Sequence, residues 1–520
     1  MKLNNVEYDY VIIGSGFGGA VSALRLSEKG YKVLVIEKGK RYRPEDFPNT
    51  NWNLPKWLWL PALRFFGFFK ITYFKHIGVL SGVGVGGGSL TYANALPVPK
   101  SEFFEAESWS HLNNWEEELK EHYATAKRML GVAVNPRFDK GDKILQSIAE
   151  DFQKPDDFLP TEVGVYFSND ETEQDPYFNG TGPKRKPCTF CGHCMIGCKD
   201  DGKNTLDKNY LYLAEKNGVE ILPEMKVYDV VENSNGYEVK CKSSTKFFKS
   251  ARTVSSKGVI FAGGVLGTVP LLHTLKKKSL PKLSSMIGRK VRTNSESLLG
   301  ITVADKETKF SEGISISSIF HTDKYSHVEP VRYPEGSGFW RLVLSPMIDG
   351  GNILVRIYQL AKSLLRNPLK FLRAYFVDDW AKRTQILLFM RTIDSTLSFK
   401  KGLIGMKSKM DEGKPPSAFI PEALDIAKRF AEKSGGMPTA LFSETLLGIP
   451  TTAHILGGAV MGKDETEGVI DSNNRVFGYD DLYVCDGSMI SANPGVNPSL
   501  TITALTERAM SKIPKKVDSD

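Results

Sequence analysis

Tyr8-Asp9-Tyr10-Val11-Ile12-Ile13-Gly14-Ser15-Gly16-Phe17-Gly18-Gly19, continuing to Gly39, decides the fold. Tyr10 to Ile13 is a short apolar, β-branched run of the kind that forms a buried strand. A helical pattern follows the glycines, with Ala20, Leu24 and Leu26 on its apolar side, and Gly30 stops it. Val33 to Ile36 is a second strand, and Glu37 stands at its end. This is a βαβ unit with G-x-G-x-x-G at the first strand-to-helix turn. Gly14 permits the tight turn, Gly16 lets a pyrophosphate approach the backbone, and Gly19 lets helix and strand pack closely. Free N–H groups at the helix start attract phosphate charge. Glu37 is placed to accept hydrogen bonds from ribose hydroxyls and to repel a 2′-phosphate. A lone glycine motif is weak, but here strand, helix, second strand and acidic end fall in register. The unit binds a dinucleotide.

At 520 residues the chain is too long for one simple core, so two or three structural domains are expected. Hydrophobic content of 41% and charged content of 25% are ordinary for a globular protein. The net charge of +8 is modest, and the one triple-lysine run, Lys276 to Lys278, has no interleaved aromatics. That pattern excludes nucleic acid as a partner and leaves room for peripheral contact with an anionic membrane surface. The βαβ unit begins within ten residues of Met1, which leaves no space for a cleavable signal, and no apolar run reaches the length of a membrane span. Cysteine is scarce, so no disulfide framework is expected. The expected place is the cytoplasm, or the inner face of a membrane.

Beyond Gly39, Trp57 to Lys70 is dense in aromatics, carries Arg64 and Lys70, and is broken by Pro61 and Gly67. It suits either a membrane-interface segment or a buried lid over an apolar cavity. Five glycines between Gly82 and Gly88 cannot form a regular helix and let main chain lie against a flat ligand. Trp115 to Leu130 has Trp115, Leu119, Tyr123, Ala126 and Met129 at helical spacing and is expected to be a core-facing helix. Residues 135–186 read as polar and irregular.

Cys188, Cys191, Cys194 and Cys198 have the C-x2-C-x2-C-x3-C spacing of bacterial iron–sulfur proteins. No second motif is present, and Lys199 stands where Pro would follow. A tight turn with buried thiols or one disulfide ranks first, an iron–sulfur cluster second, and four-thiolate zinc third. Val219 to Leu222, Val227 to Val231, Tyr237 to Cys241 and Val259 to Phe261 read as strands of the α/β region. Residues 301–449 change character, with a short strand over 313–320 and an amphipathic helix over 353–372 kinked at Pro368. Glu329, next to a proline in an apolar setting, is a candidate base.

His454 opens a second glycine-rich stretch. Leu482 to Cys485 then reads as a strand leading into Asp486-Gly487-Ser488. Asn497-Pro498-Ser499 leads into a helix over Leu500 to Met510, with Pro498 suited to the first helical position and Asn497 beside the cap, and its N-terminus is an anion site.

Gly14 to Gly19, Gly84 to Leu90, and the stretch from His454 through Asp486-Gly487 to Asn497-Pro498 resemble the glucose–methanol–choline oxidoreductases, and within them the cholesterol-oxidase branch. The resemblance implies an α/β fold with a Rossmann-like FAD-binding domain and a discontinuous α+β substrate-binding domain. The expected division gives residues 1–100 and 186–300 to the FAD-binding domain, the second of these carrying the cysteines. Residues 101–185 and 301–449 go to the substrate domain, and 450–520 form a C-terminal FAD and catalytic segment. The resemblance implies oxidation of an apolar alcohol, a sterol or 3β-hydroxysteroid first, by hydride transfer to flavin N5, with O2 or another acceptor taking the electrons. Gly14, Gly16, Gly19 and Glu37 would hold the ADP half, and Gly86, Gly87, Gly88, Ser89 and Asn94 would line the flavin. Val227 would meet the adenine, and Asp486 and Gly487 the ribityl chain. His454 and Asn497 would bond the substrate hydroxyl, and Glu329 resembles the carboxylate that moves a proton to isomerise the steroid double bond. Ile455 departs from the family's usual Pro, and Tyr92 stands where the branch has Asn. Two alternatives are a long-chain fatty-alcohol oxidase or dehydrogenase, and a flavoprotein relaying electrons through a cysteine-bound cluster.

Overall fold

The computed structural model describes residues 8–517, apart from 249, 367, 403–404 and 412–414. Two seven-stranded sheets dominate the described residues. In the first, six strands lie in the order Glu220–Leu222, Val33–Ile36, Tyr8–Ile13, Ala251–Phe261, Gly236–Ser243, Met225–Asn233. The second half of Ala251–Phe261 runs parallel to Tyr8–Ile13 on one side and to Leu482–Val484 on the other. Register pairs Ile13 with both Phe261 and Ile36, and Phe261 with Val484. Four strands therefore end level, at the carboxyl edge where open parallel sheets admit ligands. The tyrosines and β-branched residues of Tyr8–Ile13 are buried throughout, as a strand covered on both faces requires. Helix Phe17–Glu28 packs on Ser499–Ser511, which packs in turn on Trp115–Met129 through the five apolar residues that the spacing singled out.

The second sheet is antiparallel, in the order Leu344–Pro346, Met437–Leu441, Ser297–Thr302, Thr384–Arg391, Ser326–Val331, Ser318–Phe320, Phe158–Pro160. Alternation divides its side chains between two faces. Leu299, Ile301, Val328, Leu387 and Phe389 pack behind against the helices Lys140–Asp151 and Pro421–Ser434. Leu298, Val331, Ile386, Leu388 and Met390 form the front, facing the first domain.

Helix Lys140–Asp151 corrects the irregular reading of residues 135–186. Its apolar positions are few, and a capping box between Asp139 and Asp142 starts it. It is held by tertiary contact. Fully buried Arg332 reaches Asp142 at 3.0 Å and Asp139 at 3.2 Å, so a paired buried charge ties the helix to the sheet. The strand expected over 313–320 shortens to Ser318–Phe320. Helices Ile353–Arg366 and Pro368–Tyr375 occupy the expected amphipathic stretch, and the junction expected to kink at Pro368 includes residue 367, which lies outside the described residues. In the aromatic segment, Trp57, Phe68 and Phe69 are buried, with Trp57 stacked on Phe69 at 4.8 Å, while Leu60 and Leu63 stay exposed. Among the described residues no helix is long and apolar enough to cross a membrane.

Candidate active site

A cavity of about 880 Å³ runs from the carboxyl edge of the first sheet to the front of the second. The residues that follow the four level strand ends line it: Gly14, Glu37, Gly263 and Asp486. At this end backbone does the shaping. Gly14 has φ +108°, and a Cβ there would stand 2.4 Å from the Ala262 carbonyl oxygen. A Cβ on Gly19 would stand 2.0 Å from the Gly14 oxygen, so this glycine serves the packing of helix on strand and does not line the cavity. Gly16 differs: a Cβ there meets nothing within 4 Å, so the space beside it is empty of protein. A Cβ on Gly87 would come 2.6 Å from Gly16 Cα, so the two glycine loops touch.

Ser15 joins these loops, a link that sequence reasoning missed. Its hydroxyl donates to Glu37 at 2.9 Å and accepts from the Gly86 N–H at 3.2 Å. Glu37 also accepts from the N–H of Ser15 at 3.1 Å and of Gly39 at 2.8 Å, which fixes its carboxyl at the cavity wall. Val227 lines the same end.

The flavin-lining residues expected around residue 90 divide. Gly87 and Gly88 line the cavity. Gly86 and Ser89 stand behind them, Ser89 donating to the Gly86 carbonyl at 2.7 Å and accepting from the Leu206 N–H at 3.1 Å. Asn94 is fully buried at φ +70°, and neither atom of its amide has a partner among the described residues. Tyr92 lines the cavity and donates to the Asn204 carbonyl at 2.6 Å. Beneath its ring, 4.7 Å from the centroid, lies the ammonium of buried Lys203, which burial pushes down to about 8.

Asp486 accepts from the Gly264 N–H at 2.8 Å, the Thr268 hydroxyl at 2.5 Å and the Ser488 N–H at 2.8 Å. Burial raises its carboxyl above the ordinary value against these bonds. Gly487 and the first turn of helix Ser499–Ser511 continue the wall. That helix, expected over 500–510 with Pro498 at its start, runs Ser499–Ser511 with Pro498 at the cap.

Side chains build the other end. His454 and Asn497 line the cavity together. His454 Nδ1 lies 2.8 Å from Glu296 Oε2, and Glu296 is buried at the head of the central strand Ser297–Thr302. A carboxyl oxygen accepting from Nδ1–H selects the tautomer whose Nε2 keeps a lone pair free to take a proton. Sequence reasoning missed Glu296, since a single acid ahead of an apolar strand gives no sign of what it will face.

Asn497 Nδ2 donates to Glu329 Oε2 at 3.4 Å, and His327 Nε2 lies 3.7 Å from Glu329 Oε1. Glu329 is fully buried and stands behind Asn497 rather than on the cavity wall. Burial pushes its carboxyl up to about 8, the Asn497 bond opposes this, and nearby Glu296 adds to it. Burial and the neighbouring His321 hold His327 well below its ordinary value, so it is neutral. From here the cavity is apolar, walled by Trp59, Met195, Leu298, Trp340, Trp380 and Leu388 among others.

Cys188, Cys191, Cys194 and Cys198 stand apart as free thiols around a small second cavity. Among the described residues no group of three or more His, Cys, Asp or Glu side chains is disposed to hold a metal ion. This goes against the iron–sulfur and zinc readings, and the free thiols go against a disulfide. Burial pushes the Cys198 thiol up to about 11 and the Cys188 thiol higher still. The turn has a structural use: it places Met195 on the cavity wall, and the Cys194 carbonyl accepts from Lys203 at 2.6 Å.

The family model described as GMC oxidoreductase matches residues 182–288 and 410–506, and an NAD(P)-binding Rossmann-like model matches 12–42. A cholesterol oxidase of Acinetobacter baumannii is 44% identical over 99% of this chain and 96% of its own. One of Mycobacterium tuberculosis is 42% identical over 99% and 92%. The chain belongs to the GMC oxidoreductase family. It is cholesterol oxidase-like within it. A long-chain-alcohol oxidase of Arabidopsis thaliana is 24% identical over 98% of this chain and 67% of its own. The crystal structure of pyridoxine 4-oxidase from Mesorbium loti superposes with a TM-score of 0.63 at 16% identity, covering 97% of this chain and 99% of that one, and shares the fold. The family implies FAD, and the residues present fit it: open space beside Gly16, glycine loops in contact, and one cavity joining Glu37 to His454. The protein is an FAD-dependent alcohol oxidoreductase.

Proposed function

We propose that the substrate is an apolar alcohol, first of all a sterol or 3β-hydroxysteroid, oxidised at its hydroxyl to a ketone. The observation that carries this is the pairing of His454 with buried Glu296 at the polar head of a long cavity whose far end is apolar. Bound FAD would supply the hydride acceptor, flavin N5. His454 Nε2 takes the hydroxyl proton, and Glu296 holds the ring and stabilises the imidazolium that forms. Asn497 donates from its amide to the substrate oxygen and keeps it facing His454. Gly14, Gly16 and Glu37 would hold the ADP half, Val227 the adenine, Gly87 and Gly88 the ring system, and Asp486 and Gly487 the ribityl chain. Gly19, Gly86 and Ser89 support these loops from behind.

Glu329 is the candidate for proton movement during double-bond isomerisation. Held behind Asn497, it reaches a steroid when that amide turns aside. Long-chain primary alcohols are the second reading, favoured by the Arabidopsis thaliana likeness and by a cavity whose apolar wall suits either skeleton. Comparing kcat/KM for a 3β-hydroxysterol and a long-chain primary alcohol tests the choice. A preference for the sterol of about tenfold or more is expected, the scale on which apolar pockets discriminate shape. The reverse preference would move the assignment to fatty alcohols.

A further inference from the structure

The helices Ile353–Arg366 and Pro368–Tyr375 leave an apolar stripe facing water. A surface helix normally buries its apolar stripe and offers polar residues to solvent. Here the inward side carries Arg356, whose guanidinium lies 5.7 Å from the Phe419 ring centroid, and Gln359, which accepts from the Asp349 N–H at 3.1 Å. Leu360 and Leu364 are half-buried beside them. The outward stripe is Leu354, Tyr358, Leu365, Leu369, Leu372 and Phe376, at successive spacings of three, four or seven. Leu365 is 82% exposed, Leu354 74% and Phe376 71%. A contiguous exposed apolar stripe of this kind marks an interaction surface.

Charge selects the partner. Between Asp349 and Asp378 the sequence has no acidic residue, while Lys362, Arg366, Lys370 and Arg373 are exposed along the pair. Among the described residues none of these four cations is in an ion pair. An apolar stripe flanked only by cations is the make-up of a helix that lies in the headgroup layer of an anionic bilayer. Position points the same way. The two helices pack on strands Leu344–Pro346 and Met437–Leu441, whose Leu344 and Leu441 line the apolar end of the cavity. Leu342 and Phe442 are exposed beside the same strands.

We propose that residues 353–376 dock the protein on an anionic phospholipid surface, with the apolar end of the cavity set beside the bilayer. Leu354, Leu365 and Leu369 enter the acyl boundary, and the four cations meet lipid phosphates. That an apolar alcohol then enters from the bilayer rests on the proposed substrate class, but the docking itself does not.

Flotation of the purified holoprotein with sterol-free vesicles tests the docking without turnover. One set is phosphatidylcholine, the other phosphatidylcholine with phosphatidylserine. The protein is expected to float with the phosphatidylserine vesicles. The triple variant Leu354→Ser, Leu365→Ser, Leu369→Ser is expected to lose about tenfold or more in partition, because these side chains supply buried apolar area. The variant Lys362→Glu, Arg366→Glu, Lys370→Glu, Arg373→Glu is expected to lose the preference for phosphatidylserine. Both should keep wild-type activity on detergent-dispersed alcohol. A wild-type protein that stays unbound, or charge-reversed protein that keeps its preference, overturns the proposal. So does light scattering that shows a dimer broken by the leucine variant while vesicle binding is unchanged, since the stripe would then join two copies. Failure of flotation leaves alcohol oxidation standing, and a wrong substrate leaves the docking standing.

Discussion

The two ends of the cavity are made of different materials. At the Gly16 end main chain does the work: strand ends, glycine loops and N–H groups, with Ser15 and Glu37 as fasteners. At the His454 end the work passes to side chains on separate elements, Glu296, Glu329, His454 and Asn497. A backbone cradle tolerates any sequence that preserves its shape and so shows itself as spacing. A side-chain constellation depends on residues that only the fold brings together.

The sharpest contrast should come from His454→Ala. Flavin reduction by substrate is expected to slow by about a hundred- to ten-thousandfold, the range of a lost general base, with FAD content unchanged. Stopped-flow absorbance under anaerobic conditions measures it, and an unaltered rate would remove His454 from the chemistry. Glu296→Gln should act in the same direction by about ten- to a hundredfold, as partners that orient a reacting imidazole do. Its signature is a displaced pH–rate profile with KM little changed. A rise in KM alone would make Glu296 part of the cavity's shape instead.

Gly16→Ala tests the other end. No protein atom opposes the added methyl, so the apoprotein's thermal midpoint should not move, while FAD affinity falls by about tenfold or more as the phosphate loses its approach. Equal losses of stability and affinity would show that Gly16 serves folding, as Gly14 and Gly19 do.

The smallest effect is expected at Glu329. Its carboxyl, raised to about 8, is mostly protonated at pH 7, and the base form grows as pH rises through that value. Isomerisation, if Glu329 performs it, should therefore quicken across pH 8, and Glu329→Gln should abolish that rise and accumulate the unisomerised ketone. Ultraviolet absorbance of the conjugated product reads both. An unchanged product mixture would leave Glu329 as a positioning residue for Asn497.

What the sequence displayed follows the same division. Strand, glycine turn, helix and acidic end lie within Tyr8 to Gly39, so local spacing sufficed for the Rossmann unit. His454, Asn497 and Asp486 were found through family resemblance, and all three line the one cavity. Glu296 was invisible because its meaning depends on His454, far along the chain. Helix Lys140–Asp151 was missed because it is stabilised by burial against a sheet formed mostly from later residues. Cys188 to Cys198 has a spacing that suits a cluster, but the reading placed first, a tight turn, is the use the fold makes of it: the turn carries Met195 and its thiols are free.

Anaerobic titration of the yellow holoprotein with a 3β-hydroxysterol tests the union of the two ends directly. Stoichiometric bleaching of the flavin, with one ketone formed per flavin, is expected. Flavin that stays oxidised in the presence of sterol, while a long-chain primary alcohol bleaches it, would contradict the sterol assignment. Flavin that no alcohol reduces would contradict the role given to His454 and Asn497.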